Sequence, residues 1–247
     1  MASVQDHLAS HRDLLADRDR VGAMVRGVVA AVTPGDVVVD IGTGTGGLAV
    51  AAAKAGAGKV YAIEAVSAVA DVAQQVITDN GVGDRVTLIE GHSTQVEIPD
   101  SADVLVAELV GAFGLEEDIL EYVDDGRRRF LRQGGRLVPD VLRLYAAPTT
   151  EGGGLNSWRQ EILDHYELDL SSAEAYTRHL PRNLTADAEQ LIGLEAIVLE
   201  CDLSQPQSGV PSGGGQSTIT GDGWLSGWVG WFEIGSQGRS LLTTRPP

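Results

Sequence analysis

The sequence predicts an α/β protein: a mainly parallel sheet covered by helices on both faces, followed by a β-rich second part. Three observations carry that class. Short apolar runs take turns with segments of helical periodicity as far as Pro139. A glycine-rich turn joins the first predicted strand to the next helix. Beyond Pro139, apolar residues alternate with others, and aromatic and β-branched types gather. Strands and helices that alternate in this way imply right-handed crossovers between parallel strands.

In chain order, residues 12–32 read as one amphipathic helix, because Leu14, Leu15, Val21, Val25, Val28, Val29 and Val32 recur at helical spacing. Thr33-Pro34-Gly35 stops it. Val37-Val38-Val39 is a short apolar strand ending at Asp40, followed by the loop Ile41-Gly42-Thr43-Gly44-Thr45-Gly46 and an alanine-rich helix to Ala55. Gly56 and Gly58 close that helix, and a second strand from Lys59 to Ile63 ends at Glu64. A helix over Ser67–Thr78 is closed by Asn80-Gly81, and strands follow at Arg85–Ile89 and Ala102–Ala107, the latter ending at Glu108. Glu116 to Leu131 reads as helix, and Gly134-Gly135 leads into a strand over Arg136–Val138. In the second part, Leu142, Leu144 and Ala146 alternate, as do Leu194, Ala196 and Val198, and Trp224–Ile234 has strand composition. Gly152–Gly154 and Pro206–Gln216 read as loops. The expected division is a helical segment over 1–35, a ligand-binding α/β domain over 36–139 and a barrel-like β domain over 140–247.

Composition narrows the function. The 247 residues suffice for one large domain or two small ones, and 43% hydrophobic content is ordinary for a globular protein. No apolar run approaches the roughly 20 residues that span a bilayer. The longest, Val21–Val32, is broken by Gly22, Arg26 and Gly27. The first residues lack a basic-then-apolar signal pattern, so a cytoplasmic protein with no membrane partner is expected. The single cysteine, Cys201, excludes an intramolecular disulfide, and five histidines without ligand spacing lead us to expect no metal. A formal net charge of -17 disfavours nucleic acid. It would attract cationic partners, basic peptides among them, or serve solubility alone.

The glycine loop is the first candidate site. Glycine lets the backbone pass close to a ligand, and the following helix offers free N–H groups and a positive dipole end. Glu64, 22 positions after Gly42, ends the next strand, where a carboxylate can accept from both hydroxyls of a ribose. Gly42, Gly44 and Gly47 formally satisfy the dinucleotide fingerprint, so the loop alone leaves that ligand open. Asp40 at the loop entrance would repel a pyrophosphate and suit a sulfonium cofactor carrying an α-amino group. Glycines placed between a strand and a helix also serve tight packing alone.

The second candidate site is Ala107-Glu108-Leu109-Val110-Gly111-Ala112-Phe113-Gly114-Leu115-Glu116-Glu117, with Glu108 and Glu117 nine positions apart. Two carboxylates converging on one pocket would hold a planar guanidinium through forked, charge-assisted hydrogen bonds. The plainer alternative is that Glu116-Glu117-Asp118 forms the acidic first turn of a helix.

These motifs carry a resemblance. Val38-Val39-Asp40-Ile41-Gly42-Thr43-Gly44-Thr45-Gly46 looks like the first motif of class I methyltransferases. The Glu108–Glu117 segment is similar to the double-E loop of protein arginine methyltransferases, which keeps the same spacing. His11-Arg12-Asp13-Leu14-Leu15-Ala16-Asp17-Arg18-Asp19-Arg20 resembles the helix before that family's cofactor site, and Ala55–Ala65 its second motif. Gly91-His92-Ser93-Thr94 falls where the family contacts adenine, and Gly134–Pro139 matches the end of its Rossmann part. Trp228-Val229-Gly230-Trp231-Phe232-Glu233 resembles a strand of its β-barrel, with core packing the expected role of the tryptophans.

The resemblance implies a Rossmann-like methyltransferase domain followed by a barrel, with S-adenosylmethionine as cofactor. Arg20, Asp40, Gly42, Thr43, Gly44, Glu64, Ala65, Ser93, Thr94 and Glu108 would line the cofactor, Arg20 pairing with its methionine carboxylate. Glu108 and Glu117 would clamp the acceptor, and Asp17 would sit near the reactive centre. The implied acceptor is a guanidino or amino nitrogen of a small molecule or peptide. O- or C-methylation of a metabolite and a non-catalytic relative are the alternatives. A dimerisation arm is expected within Ser171–Leu184, and with it a homodimer.

The sequence also departs from the family. The residues after Glu108 are Leu109-Val110 in place of Trp-Met, and Glu116 stands in place of a tyrosine. Thr94 stands where a glutamate near adenine is expected, and residues 1–10 hold no Tyr or Phe of the family's aromatic motif. The family's threonine-histidine-tryptophan loop falls after Pro246 and has no counterpart in this sequence.

Overall fold

The computed structural model describes residues 11–150, 155–170, 172, 180–206 and 211–247. A helical segment over residues 11–16 is followed by α1 (Arg18–Ala31), β1 (Val37–Ile41), α2 (Gly47–Lys54), β2 (Lys59–Glu64), α3 (Ser67–Asp79) and β3 (Val86–Glu90). Then come β4 (Ala102–Ala107), α4 (Ile119–Arg129), β5 (Leu131–Val138), β6 (Val141–Thr149), α5 (Leu155–Tyr166), β7 (Ala196–Asp202), β8 (Gly227–Ser236) and β9 (Arg239–Thr243). Among the described residues, no helix is long and apolar enough to cross a membrane.

The first sheet has five strands in the order β3-β2-β1-β4-β5, and every neighbouring pair is parallel. Its central strands are near-continuous apolar runs because both faces are covered. Val38, Val39, Val60, Ala62, Val104, Leu105 and Val106 have no exposed surface. Helix α2 packs on β1 and β2, α3 on β2 and β3, and α4 on β4 and β5. Gly126 sets the approach of α4, since a Cβ there would lie 2.6 Å from Ile41 Cδ1 and 3.1 Å from Leu105 Cδ2.

The chain divides into two compact units. The first gathers the described residues up to Arg143, then Glu200–Pro211 and Phe232–Thr243. The second gathers Leu144–Leu199, Ser212–Trp231 and Thr244–Pro247. A four-stranded sheet has the order β7-β6-β8-β9, with β8 and β9 antiparallel and Glu233 opposite Thr243. The second unit has its own core of Ala147, Ala186, Val229 and Trp231. There Tyr145 stacks on Trp231, ring centroids 5.8 Å apart.

Three expectations are corrected. The helix over 12–32 is interrupted at Asp17, which leaves helical geometry (φ -76, ψ 89) and accepts the Arg20 N–H as N-cap of α1. The helix expected from Glu116 begins at Ile119, because the Glu116 carboxylate accepts the Phe113 N–H at 2.7 Å and Asp118 adopts φ 56. The tryptophans of β8 divide: Trp231 is core, whereas Trp228 is 59% exposed. Residues three apart on a strand point to opposite faces, so only one can enter the core. The arm expected within 171–184 falls largely outside the described residues.

Candidate active site

The carboxyl ends of β1 to β4 open into a cavity of about 460 Å³. It lies in the crevice where the strand order reverses between β1 and β4, the position at which open α/β sheets take ligands. Gly42–Gly44 come from the end of β1, Glu64–Val66 from β2, Gly91–Ser93 from β3 and Glu108–Leu109 from β4. His11, Leu14 and Leu15 of the first helical segment, and Arg20, Val21 and Met24 of α1, close another side.

The glycines of the loop are required twice over. Gly42, Gly44 and Gly46 have φ of 65, 57 and 82, in the left-handed region that side chains disfavour. A Cβ on Gly42 would also sit 2.8 Å from Leu109 Cδ2, and one on Gly44 2.8 Å from His11 Cε1.

Glu64 is 7% exposed and fixed from both sides. Its Oε2 accepts the Gly44 N–H at 2.9 Å and its Oε1 the Val66 N–H at 2.8 Å. Each oxygen keeps a second lone pair for hydroxyl donors in the cavity.

Asp40 corrects the sequence argument. It is 1% exposed and does not line the cavity. It lies under the loop, where its carboxylate accepts the Thr43 hydroxyl at 2.6 Å and the Ala49 N–H near the start of α2. Burial pushes its pKa up to about 7, against those two hydrogen bonds, with the charges of Glu108 and Glu64 adding to the rise. The free N–H groups expected to face a ligand are thus partly engaged by a carboxyl group. A pyrophosphate on α2 would meet that group through the loop.

At the end of β3, the Gly91 N–H donates to the Glu64 carbonyl at 2.8 Å. Ser93 is buried, and its carbonyl accepts Arg129 Nη1 at 2.8 Å, while Arg129 also donates to the Val96 carbonyl. The His92 ring is held from both nitrogens: Nδ1 lies 2.7 Å from Thr94 Oγ1 and Nε2 lies 3.1 Å from the Tyr122 hydroxyl.

The remaining polar cluster is ionic. Arg20 Nε and Nη2 donate to one oxygen of Glu108 at 3.1 and 2.6 Å, and Nη2 also donates to the Val110 carbonyl. The Arg20 and Glu108 side chains are 14% and 19% exposed, so water screens the pair weakly. Glu117 lines the same cavity and, among the described residues, has no hydrogen-bond or ion-pair partner. Although Glu117 as a residue is exposed, partial burial of its carboxyl raises its pKa, the charge of Glu108 adding to the rise and Arg20 opposing it.

Arg20, Gly42, Thr43, Gly44, Glu64, Ala65, Ser93, Glu108 and Glu117 therefore share one cavity. Asp17, Asp40 and Thr94 do not line it. Asp17 is exposed and spent on capping α1, and Thr94 is turned to His92. Arg20, expected on the cofactor carboxylate, is paired with Glu108. Met24, His92, Leu109 and Tyr122 also line the cavity and were not singled out as individual contacts. Met24 follows Arg20 by four positions, one helical turn, which was the available signal.

The residues present fit an S-adenosyl group. A glycine cradle that a Cβ would fill, the buried carboxylate of Glu64 and a mainly apolar wall make that fit.

Known proteins agree with this geometry. The family described as ribosomal protein L11 methyltransferase (PrmA) matches residues 24–136. The chain is 28% identical to an arginine N(omega)-methyltransferase of Streptomyces achromogenes subsp. streptozoticus, over 96% of this chain and 66% of that protein. It is 34% identical to the probable protein arginine N-methyltransferase 6 of Arabidopsis thaliana, over 67% of this chain and 38% of that protein. The chain thus spans between 38% and 66% of the length of these two relatives. The crystal structure of Arabidopsis thaliana protein arginine methyltransferase 10 superposes with a TM-score of 0.78 at 27% identity, covering 97% of this chain and 78% of that one. Across both parts of the chain, sequence and fold are similar to the protein arginine N-methyltransferases, and residues 24–136 match a family of methyltransferases.

Proposed function

We propose that the chain methylates a guanidino nitrogen, in arginine itself or in an arginine-containing peptide, with S-adenosylmethionine as donor. The observation that carries this reading is the carboxylate pair: Glu108 is held in place by Arg20, and Glu117 stands in the same cavity without a hydrogen-bond or ion-pair partner among the described residues. S-adenosylmethionine supplies, when bound, a methyl group on a positively charged sulfur. The glycine loop and Glu64 would hold it, with Gly91–Ser93 beyond them.

The protein's own work is positioning and electrostatics. A planar guanidinium meets Glu117 as its unengaged acceptor and Glu108 as an acceptor already aligned. Carboxylates that accept from two of its nitrogens draw positive charge toward those nitrogens and leave the third more nucleophilic. Methylation of a guanidinium gives a dication unless one proton leaves. Glu117, its pKa raised by burial and by Glu108, is the group placed to take that proton. The net charge of -17 favours the approach of a cationic acceptor.

The test offers the purified chain S-adenosylmethionine with arginine, an arginine-containing peptide, a simple alkylguanidine and lysine, and follows product mass. The expected result is a gain of one methylene on guanidines and none on lysine. Methylation confined to lysine, or to hydroxyl or carbon acceptors, would overturn the reading.

A further inference from the structure

The polar group at the far end of the cavity is unlike the rest. A ligand whose ribose rests at Glu64, on the end of β2, extends its base toward the next strand outward, β3, and so toward Gly91–Ser93. Among the described residues, no carboxylate lines that end. Glu64 is tied to Gly44 and Val66, and Glu108 and Glu117 cluster with Arg20. His92 and Tyr122 stand there within a three-member chain: Thr94 Oγ1, 2.7 Å from His92 Nδ1, then His92 Nε2, 3.1 Å from the Tyr122 hydroxyl. The two rings lie 5.3 Å apart at 60°. His92 and Tyr122 line the cavity, and Thr94 stands behind them.

We infer that Tyr122, coupled through His92 to Thr94, reads the edge of the bound purine as a reversible donor or acceptor. This rests on the proposed S-adenosyl site. A neutral imidazole carries one proton, and either nitrogen can hold it. With the proton on Nε2, His92 donates to Tyr122 and accepts from Thr94, so the phenol proton points into the cavity and suits an acceptor. With the proton on Nδ1, His92 donates to Thr94 and accepts from Tyr122, which leaves the phenol oxygen as an acceptor for an amine. Burial and the charges of Asp118 and Glu121 raise the phenol's pKa, so the proton stays available to the relay. A fixed carboxylate only accepts, and it rejects a base that offers a carbonyl where adenine offers its amine. The relay accommodates both bases. Tyr122 is thus a specificity residue that widens the choice of purine, and Thr94 is a positioning residue acting through His92.

The experiment is calorimetry with S-adenosylhomocysteine and S-inosylhomocysteine, whose purine edges have opposite donor and acceptor patterns. The wild-type protein is expected to bind the two within about fivefold of each other, one neutral hydrogen bond's worth. Tyr122→Phe weakens both by about fivefold or more, and Thr94→Val weakens both by about threefold although it does not line the cavity. Thermal melts confirm that each variant is folded, and the two substitutions are independent checks. Wild-type preference for the adenosyl ligand beyond about a hundredfold would overturn the inference, because such rejection marks a fixed pattern. So would wild-type affinities in folded Tyr122→Phe or Thr94→Val. Failure of the wild-type protein to bind either ligand is a different result, and it overturns the S-adenosyl site itself.

Discussion

The Glu64 end of the cavity and the Glu117 end are built on opposite plans. Both Glu64 oxygens are claimed by backbone N–H groups, and the loop that supplies one of them is itself held from below by Asp40 through Thr43. Among the described residues Glu117 touches no donor, and its neighbour Glu108 is held by a long side chain from a different element. A site formed by backbone is specified by where strands end. A site formed by side chains must be steadied by other side chains. On the proposed reading, the first would hold the donor common to every reaction, the second the acceptor that can vary.

Three substitutions press on this difference, the largest effect first. Glu117→Gln keeps shape but removes the unengaged charge. Turnover on a guanidine should fall about a thousandfold, as for loss of an aligned electrostatic group. S-adenosylhomocysteine affinity should stay within about twofold. Loss of both together, by mass assay and calorimetry, would show that the two ends are one machine. Glu64→Gln offers one acceptor oxygen to two backbone donors and points an amide N–H at the other. We expect cofactor affinity about thirtyfold weaker, close to 2 kcal/mol, with little change in acceptor KM.

Asp40→Asn has the smallest effect and a definite sign. The folded-state pKa of about 7 lies above the ordinary aspartate value of 3.8. The folded chain therefore holds this proton more tightly than the unfolded chain. Stability from this group falls as pH rises between those values, and the cost is complete above about pH 7. Asparagine mimics the protonated acid, so its Tm lead over wild type should shrink by about 5 °C between pH 8 and pH 5. A constant difference across that range would mean that Asp40 is not protonated there.

Legibility followed the same division. Strand ends could be read because buried parallel strands are unbroken apolar runs, which put Asp40, Glu64 and Glu108 at their carboxyl ends. Glu108 and Glu117 could be paired by spacing and resemblance. What could not be read was direction. Asp40 points under its loop and Thr94 turns to His92, and no linear pattern distinguishes those rotamers from cavity-facing ones. Asp17 interrupts an unbroken amphipathic pattern, because one side-chain hydrogen bond to Arg20 N outweighs a propensity difference of a few tenths of a kcal/mol. Trp228 and Trp231 share a composition signal but sit on opposite faces of β8, which composition alone does not resolve.

The close seat of α4 bears on any attempt to redesign this protein. The helix begins two residues after Glu117, presents Tyr122 in its first turn and sends Arg129 back to the Ser93 carbonyl. Its height above the sheet is set at Gly126, where one added methyl would run into Ile41 and Leu105. Grafting a new loop between Glu108 and Glu117 therefore leaves the His92–Tyr122 end of the cavity in place only while position 126 stays glycine. A library that varies the loop should hold that residue constant, or it will select repairs to the helix in place of new acceptors.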